Sequence, residues 1–196
     1  MRRDKLGYLS EDIERDYLGD AWQYAEAVLS GARPAARYER KAVQRFAAMT
    51  LRDDIQFDAL AACAPCAFIE LLPHIEGALG GQRIVLSNWQ IFLIVNVFGW
   101  QRNGARLFNR FWLEVPRKNA KSMLSSGIAL YMLGMEGEPG AQVYAAATTR
   151  QQANAVFRIS QKMLKDTPRL KEFGYALNAH KIHHPESNSY YHALSR

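Results

Sequence analysis

The sequence predicts an α/β protein: a parallel sheet with helices on both faces, preceded by a helical N-terminal region. Three observations predict it. The order strand, loop, helix, strand, helix runs from Phe108 to Leu164, and that alternation marks a βαβ unit with a parallel sheet. Upstream, apolar residues recur at helical spacing through roughly the first fifty residues. Between the first strand and its helix stands a short basic loop that ends in Lys121-Ser122.

Bulk composition sets the frame. With 196 residues, 48% of them hydrophobic and 22% charged, the chain holds one good core, or one core plus a helical appendage, and is not disordered. No apolar run is long enough to span a bilayer, and Met1-Arg-Arg-Asp-Lys5 has no apolar segment behind it. A cytosolic protein with no membrane partner is expected. The net charge of +6 admits a polyanionic partner without naming one. Cys63-Ala-Pro-Cys66 lacks a second pair of ligands and sits in an Ala-rich segment, so ordinary reduced thiols are expected. His180, His183, His184 and His192 have no carboxylate or thiolate at a spacing that completes a metal set.

Taken in order, residues 10 to 30 predict a helix with Ile13, Tyr17, Trp22, Ala25 and Leu29 near one face. Gly31 and Pro34 end it, and Pro34 is suited to open the next helix, through Val43, Phe46 and Met49. The exposed face of that helix carries Arg37, Arg40, Lys41 and Arg45. It is either a solvated face or one that touches phosphates. An apolar stretch from Ile55 to Ile69 is interrupted by Pro65, and Gly77, Gly80 and Gly81 then mark a loop before a short extended segment at Arg83 to Leu86. Ser87 or Asn88 caps an apolar helix from Trp89 to Gly99. After a polar turn at Gln101 to Arg106 comes the apolar strand into the loop. Ala141 to Thr148 predicts a second buried strand, and Thr149-Arg-Gln-Gln152 a capping box for a helix with Ala153, Val156, Phe157, Ile159, Met163 and Leu164 inward. Lys181 to Leu194 predicts a hairpin with its turn at Pro185 to Ser189.

The loop Val115-Pro-Arg-Lys-Asn-Ala-Lys-Ser122 has the layout of a phosphate-binding loop. Loop amides and the helix N-terminus present partial positive charge, Lys121 adds a full one, and Ser122 is placed as a Mg²⁺ ligand. Against the pattern G-x-x-x-x-G-K-[ST], Val115 stands in place of the first Gly and Ala120 in place of the second.

Three segments together carry a resemblance. Leu86 to Trp100 resembles the adenine-recognition motif of tailed-bacteriophage large terminases, Leu113 to Ser122 their deviant Walker A loop, and Val143 to Ala153 the strand and helix that follow it. The resemblance runs from about Tyr24 onward. It implies an ASCE-type P-loop NTPase sheet and an ATPase that drives double-stranded phage DNA into a procapsid. ATP and Mg²⁺ are its implied cofactors. Its implied setting is the bacterial host cytoplasm, at the procapsid portal, with the small terminase subunit and portal protein as partners and a homo-oligomeric ring for the full-length protein. Residue by residue it implies Gln90 pairing with adenine beside Trp89, and Pro116, Arg117, Lys118, Asn119, Ala120, Lys121 and Ser122 around the phosphates. Arg117 and Lys121 would be the catalytic pair, with Arg117 or Lys118 at the γ-phosphate and Ser122 on Mg²⁺. An amide carries the donor and acceptor that the adenine edge needs, and a guanidinium binds phosphate oxygens in pairs.

Two departures accompany it. Ala120 adds a Cβ where φ is expected to be positive, at a cost of about 1 kcal/mol. No run of four apolar residues followed by Asp-Glu occurs after Ser122, so the Walker B strand and the nuclease domain of the family are expected to be absent. The expected organisation is therefore a helical region over residues 1–82 and a partial, incomplete P-loop ATPase domain over 83–196, which turns over little or no ATP alone. The alternative is a non-catalytic prophage remnant, an interaction fragment that binds DNA or a small terminase subunit.

Overall fold

A computed structural model describes residues 15–178 and 180–194. These fall into two compact units, one built from 15–67 with 86–113 and the other from 68–85 with 114–194.

In the first unit, α1 (Tyr17–Leu29) is capped by Asp16, whose carboxylate accepts from Gly19 N at 2.8 Å. The expected start, residues 10–14, lies outside the described residues. α2 (Arg37–Met49) begins beyond Pro34, where the Glu39 carboxylate accepts from Ala36 N at 3.1 Å. α3 (Ala59–Glu70), whose residues 59–67 belong to this unit, and α4 (Asn88–Gly99) complete the helices. A small antiparallel sheet joins β1 (Gln56–Phe57), β2 (Trp100–Arg102) and β3 (Ala105–Arg106). Phe46 anchors the core, with ring centroids 4.7 Å from Trp22, 5.3 Å from Phe92 and 5.9 Å from Trp100. Gly99 is needed for close approach, since a Cβ there would lie 2.4 Å from the Phe57 ring. Pro65 lies inside α3 and does not interrupt it; the surrounding Ala62, Ala64, Cys66 and Ala67 are buried, and packing overrides the lost backbone bond. Burial pushes the Cys63 thiol up to about 11, with Asp16 adding to it, and Cys63 and Cys66 are both free.

The second unit contains α5 (Lys121–Gly134), β4 (Gln142–Ala146), α6 (Arg150–Asp166), α7 (Arg169–Glu172), β5 (Ala176–Leu177), β6 (Ile182–His184) and β7 (Ser189–Leu194). The sheet order is β4-β7-β6-β5. β4 and β7 are parallel, with Tyr144 opposite His192; the other pairs are antiparallel. The hairpin falls where the sequence placed it, closed by a 3-10 turn at Pro185–Ser187 and by Asn188 at φ 53°. Turn chemistry dictates this, because Pro presets its own φ and Asn tolerates the left-handed region. His184 is fully buried and donates from Nε2 to Phe173 O at 2.9 Å, while Nδ1 accepts from Ser187.

The sheet corrects three expectations. Residues 108–116 make no ladder hydrogen bond, so the strand expected before the loop is extended chain without a partner. Phe111 is 49% and Trp112 88% exposed, and apolar residues gain nothing from an extended chain that has no neighbour to pack against. Parallel pairing is confined to β4 and β7. Helices cover one face: Phe157 of α6 lies 5.1 Å from Tyr191, and a Cβ on Gly134 of α5 would meet His184 on the same face. The opposite face shows Tyr190 stacked on His192, with Tyr144 edge-on to both. The capping box of α6 is half formed, since Thr149 accepts from Gln152 N at 3.3 Å while the Gln152 carboxamide accepts from Thr148 instead. Ser160 rather than Ile159 takes the fully buried place on that helix. No helix among the described residues is long and apolar enough to cross a membrane.

Candidate functional site

The loop between residues 115 and 122 is shaped by two left-handed residues, Lys118 at φ 68° and Ala120 at φ 54°. Such residues turn loop amides toward a common concavity, which is how anion-binding loops are made. Ala120 is the N-cap of α5 and offers no side chain to the helix. The first helical bond runs from Leu124 N to Ala120 O at 2.9 Å. The amides of Lys121, Ser122 and Met123 therefore have no acceptor among the described residues, and they are the donors that a helix N-terminus leaves open.

Side chains hold the loop in this shape. Asn119 Nδ2 donates to Pro116 O at 3.2 Å and to Arg117 O at 3.3 Å. Lys121 Nζ donates to Pro116 O at 3.0 Å and also to Val115 O. Arg117, Lys118 and Lys121 form no ion pair among the described residues. Arg117, Lys118 and the Ser122 hydroxyl are exposed. Behind the loop α5 is firmly seated: Ser126 Oγ donates to Val156 O at 2.9 Å and Tyr175 Oη to Leu130 O at 2.7 Å. Free amides, three cations outside any ion pair and an exposed hydroxyl on a firmly seated helix fit phosphate oxygens and a hard cation.

The positive φ at Ala120, expected from its place in the loop, is present. Ala120→Gly removes a Cβ from a left-handed residue, and unfolding measurements should show stabilisation of up to about 1 kcal/mol. Equal stability of the two proteins would show that the loop relaxes out of this geometry.

Gln90 lies in the other unit, within α4, and is 5% exposed. Its Oε1 accepts from Ser87 N at 2.9 Å and from Ser87 Oγ at 3.0 Å, closing a capping box. The signal Ser87-Asn-Trp-Gln90 is present in the sequence and fits the Ser-x-x-Gln form. This role of Gln90 was missed there. Trp89 beside it is half-buried. On α2, Arg37, Arg40, Lys41 and Arg45 are all exposed, and the Arg45 guanidinium rests 4.8 Å from the Phe108 ring centroid.

Residues 88–196, more than half of the chain, match the family described as terminase large subunit, ATPase domain. The chain belongs to that family. It is 36% identical over 110 residues to the terminase large subunit of Enterobacteria phage HK97, a match covering 54% of this chain and 21% of that protein. The crystal structure of the HK97 bacteriophage large terminase superposes with a TM-score of 0.56 at 29% identity, over 67% of this chain and 26% of that one. The chain thus spans about a fifth to a quarter of the length of these relatives. The terminase match contains both the 115–122 loop and Gln90.

Proposed function

We propose that this terminase chain binds Mg-ATP through the 115–122 loop, as part of a motor that moves double-stranded DNA into a procapsid. The observation that carries the proposal is the run of unpartnered amides at the start of α5, behind a left-handed Ala120 and beside Lys121 and Ser122. Lys121 would hold the β- and γ-phosphates once released from the carbonyls of Val115 and Pro116, and Arg117 or Lys118 would meet the γ-phosphate. Ser122 would take Mg²⁺, which supplies charge neutralisation between phosphates when bound. Gln90 would keep Oε1 on Ser87 and present its Nε2 donor to the adenine edge. Residues 83–196 form the ATPase part of this reading. A procapsid portal in the bacterial cytoplasm, a small terminase subunit and a ring of copies complete the setting.

Among the described residues no strand after Ser122 ends in paired carboxylates: Ala-Thr-Thr follows the apolar part of β4 and Ser-Arg follows β7. Turnover by the 196-residue chain alone is therefore expected to be low. Titration with Mg-ATP and a steady-state phosphate-release assay test both parts together. Saturable binding with little release is the expected result. Absence of binding by the folded chain overturns the nucleotide assignment, and sustained release that Lys121→Ala abolishes overturns the expectation of low turnover.

A further inference from the structure

Gln90 completes the capping box of α4, and that duty decides which half of its carboxamide is free. Its Oε1 accepts from Ser87 N at 2.9 Å and from Ser87 Oγ at 3.0 Å. A main-chain N–H only donates, so the atom that faces it is the oxygen and the amide has one orientation. Both lone pairs of Oε1 are therefore taken. Nε2, by contrast, makes no hydrogen bond among the described residues, and it is not sealed from solvent. The cap is firmly seated. Leu86 before it and Ile91 after Gln90 are buried, Ile91 N donates to Ser87 O at 3.0 Å, and Arg15 Nη1 donates to Leu86 O at 3.0 Å.

Purines differ at the edge that a carboxamide reads. Adenine shows an acceptor at N7 and a donor at N6, whereas guanine shows acceptors at N7 and O6. Selecting adenine requires a free acceptor for the N6 donor, and Ser87 already occupies it. Accepting from N6 would make Oε1 give up a bond to Ser87, so adenine gains little net over guanine. The open Nε2 carries two hydrogens, which suit N7 of either base. We infer that Ser87 is a specificity-determining residue: by holding Oε1 it makes Gln90 a donor-only reader, so the chain takes guanine nucleotides as readily as adenine nucleotides. This specificity deepens the nucleotide reading of the 115–122 loop and rests on it.

The test titrates the 196-residue chain calorimetrically with Mg-ATP, Mg-GTP and the Mg²⁺ complex of 7-deaza-ATP, in which a C–H replaces N7. Mg-GTP should bind within about threefold of Mg-ATP or more tightly, and 7-deaza-ATP about tenfold more weakly than ATP, the loss expected for one hydrogen bond. A larger preference for Mg-ATP over Mg-GTP overturns the inference and leaves the loop assignment standing. So does 7-deaza-ATP that binds like ATP, because Gln90 then makes no bond to N7. Absence of binding by all three nucleotides to the folded chain overturns both readings. Ser87→Ala frees one lone pair of Oε1 and should raise the preference for ATP over GTP by about threefold or more. Loss of a helix cap alone would weaken both nucleotides equally. An unchanged ratio in a Ser87→Ala protein with the parent's circular dichroism would therefore reduce Ser87 to a cap and overturn its part in specificity.

Discussion

Lys121→Ala is expected to weaken Mg-ATP binding by roughly 10- to 100-fold, the range for losing a hydrogen-bonded charge from a phosphate site. The ammonium already has a defined position in the free chain, donating to Pro116 O at 3.0 Å and to Val115 O. Binding exchanges those carbonyls for phosphate oxygens, so part of the gain is offset by the bonds given up. Those carbonyls lie in a loop whose neighbours Pro116, Arg117 and Lys118 are exposed, and water replaces the lysine there. Thermal stability should therefore change by less than about 1 kcal/mol. A fluorescent-nucleotide titration read beside a melting curve separates the two effects. Unchanged affinity would remove Lys121 from the site, whereas loss of both affinity and fold would make it a structural clamp on the loop.

The parts of this site that were legible in the sequence are those set by local chemistry. Lys121-Ser122 after an apolar run located the helix start, and the place of Ala120 in the pattern called for positive φ, which the chain adopts at 54°. The hairpin at Pro185 to Ser189 was equally local, because Pro and Asn restrict their own backbone. What escaped depends on neighbours. Phe108 to Leu113 is apolar enough for a buried strand, yet pairing requires an adjacent strand, and the residues before the loop have none among those described. Leu86 to Leu113 packs within its own unit: Arg15 Nη1 donates to Leu86 O at 3.0 Å and the Tyr24 ring lies tilted 5.2 Å from Phe92. A division at residue 82 does not follow these compact units, because long-range packing and not chain order decides membership. The Ser87–Gln90 cap was written in the sequence, but the resemblance drew attention to what the carboxamide would bind outside the helix.

Phe46→Ala should be the most damaging single change in the unit that carries Gln90, at about 3–5 kcal/mol. Phe46 is 1% exposed and its ring meets Trp22, Phe92 and Trp100 within 5.9 Å, two of these edge-on. Truncation removes the packed area and leaves a void that rigid aromatic rings close poorly. Phe92 belongs to α4 and Trp100 follows its last residue, so both ends of the helix bearing the Ser87–Gln90 cap lose support. At about 2–4 °C per kcal/mol for a chain of this size, the melting temperature should fall by roughly 10 °C. Phe46→Leu keeps most of the volume and should cost less than half as much. The near-ultraviolet circular dichroism of Trp22 and Trp100 should weaken in the alanine variant below its melting point, because those rings lose their fixed neighbour. If alanine and leucine melt together near the parent, the aromatic cluster is not what holds α4. In that case the main-chain sheet of β1 and β2, with Phe57 opposite Trp100, would be its support.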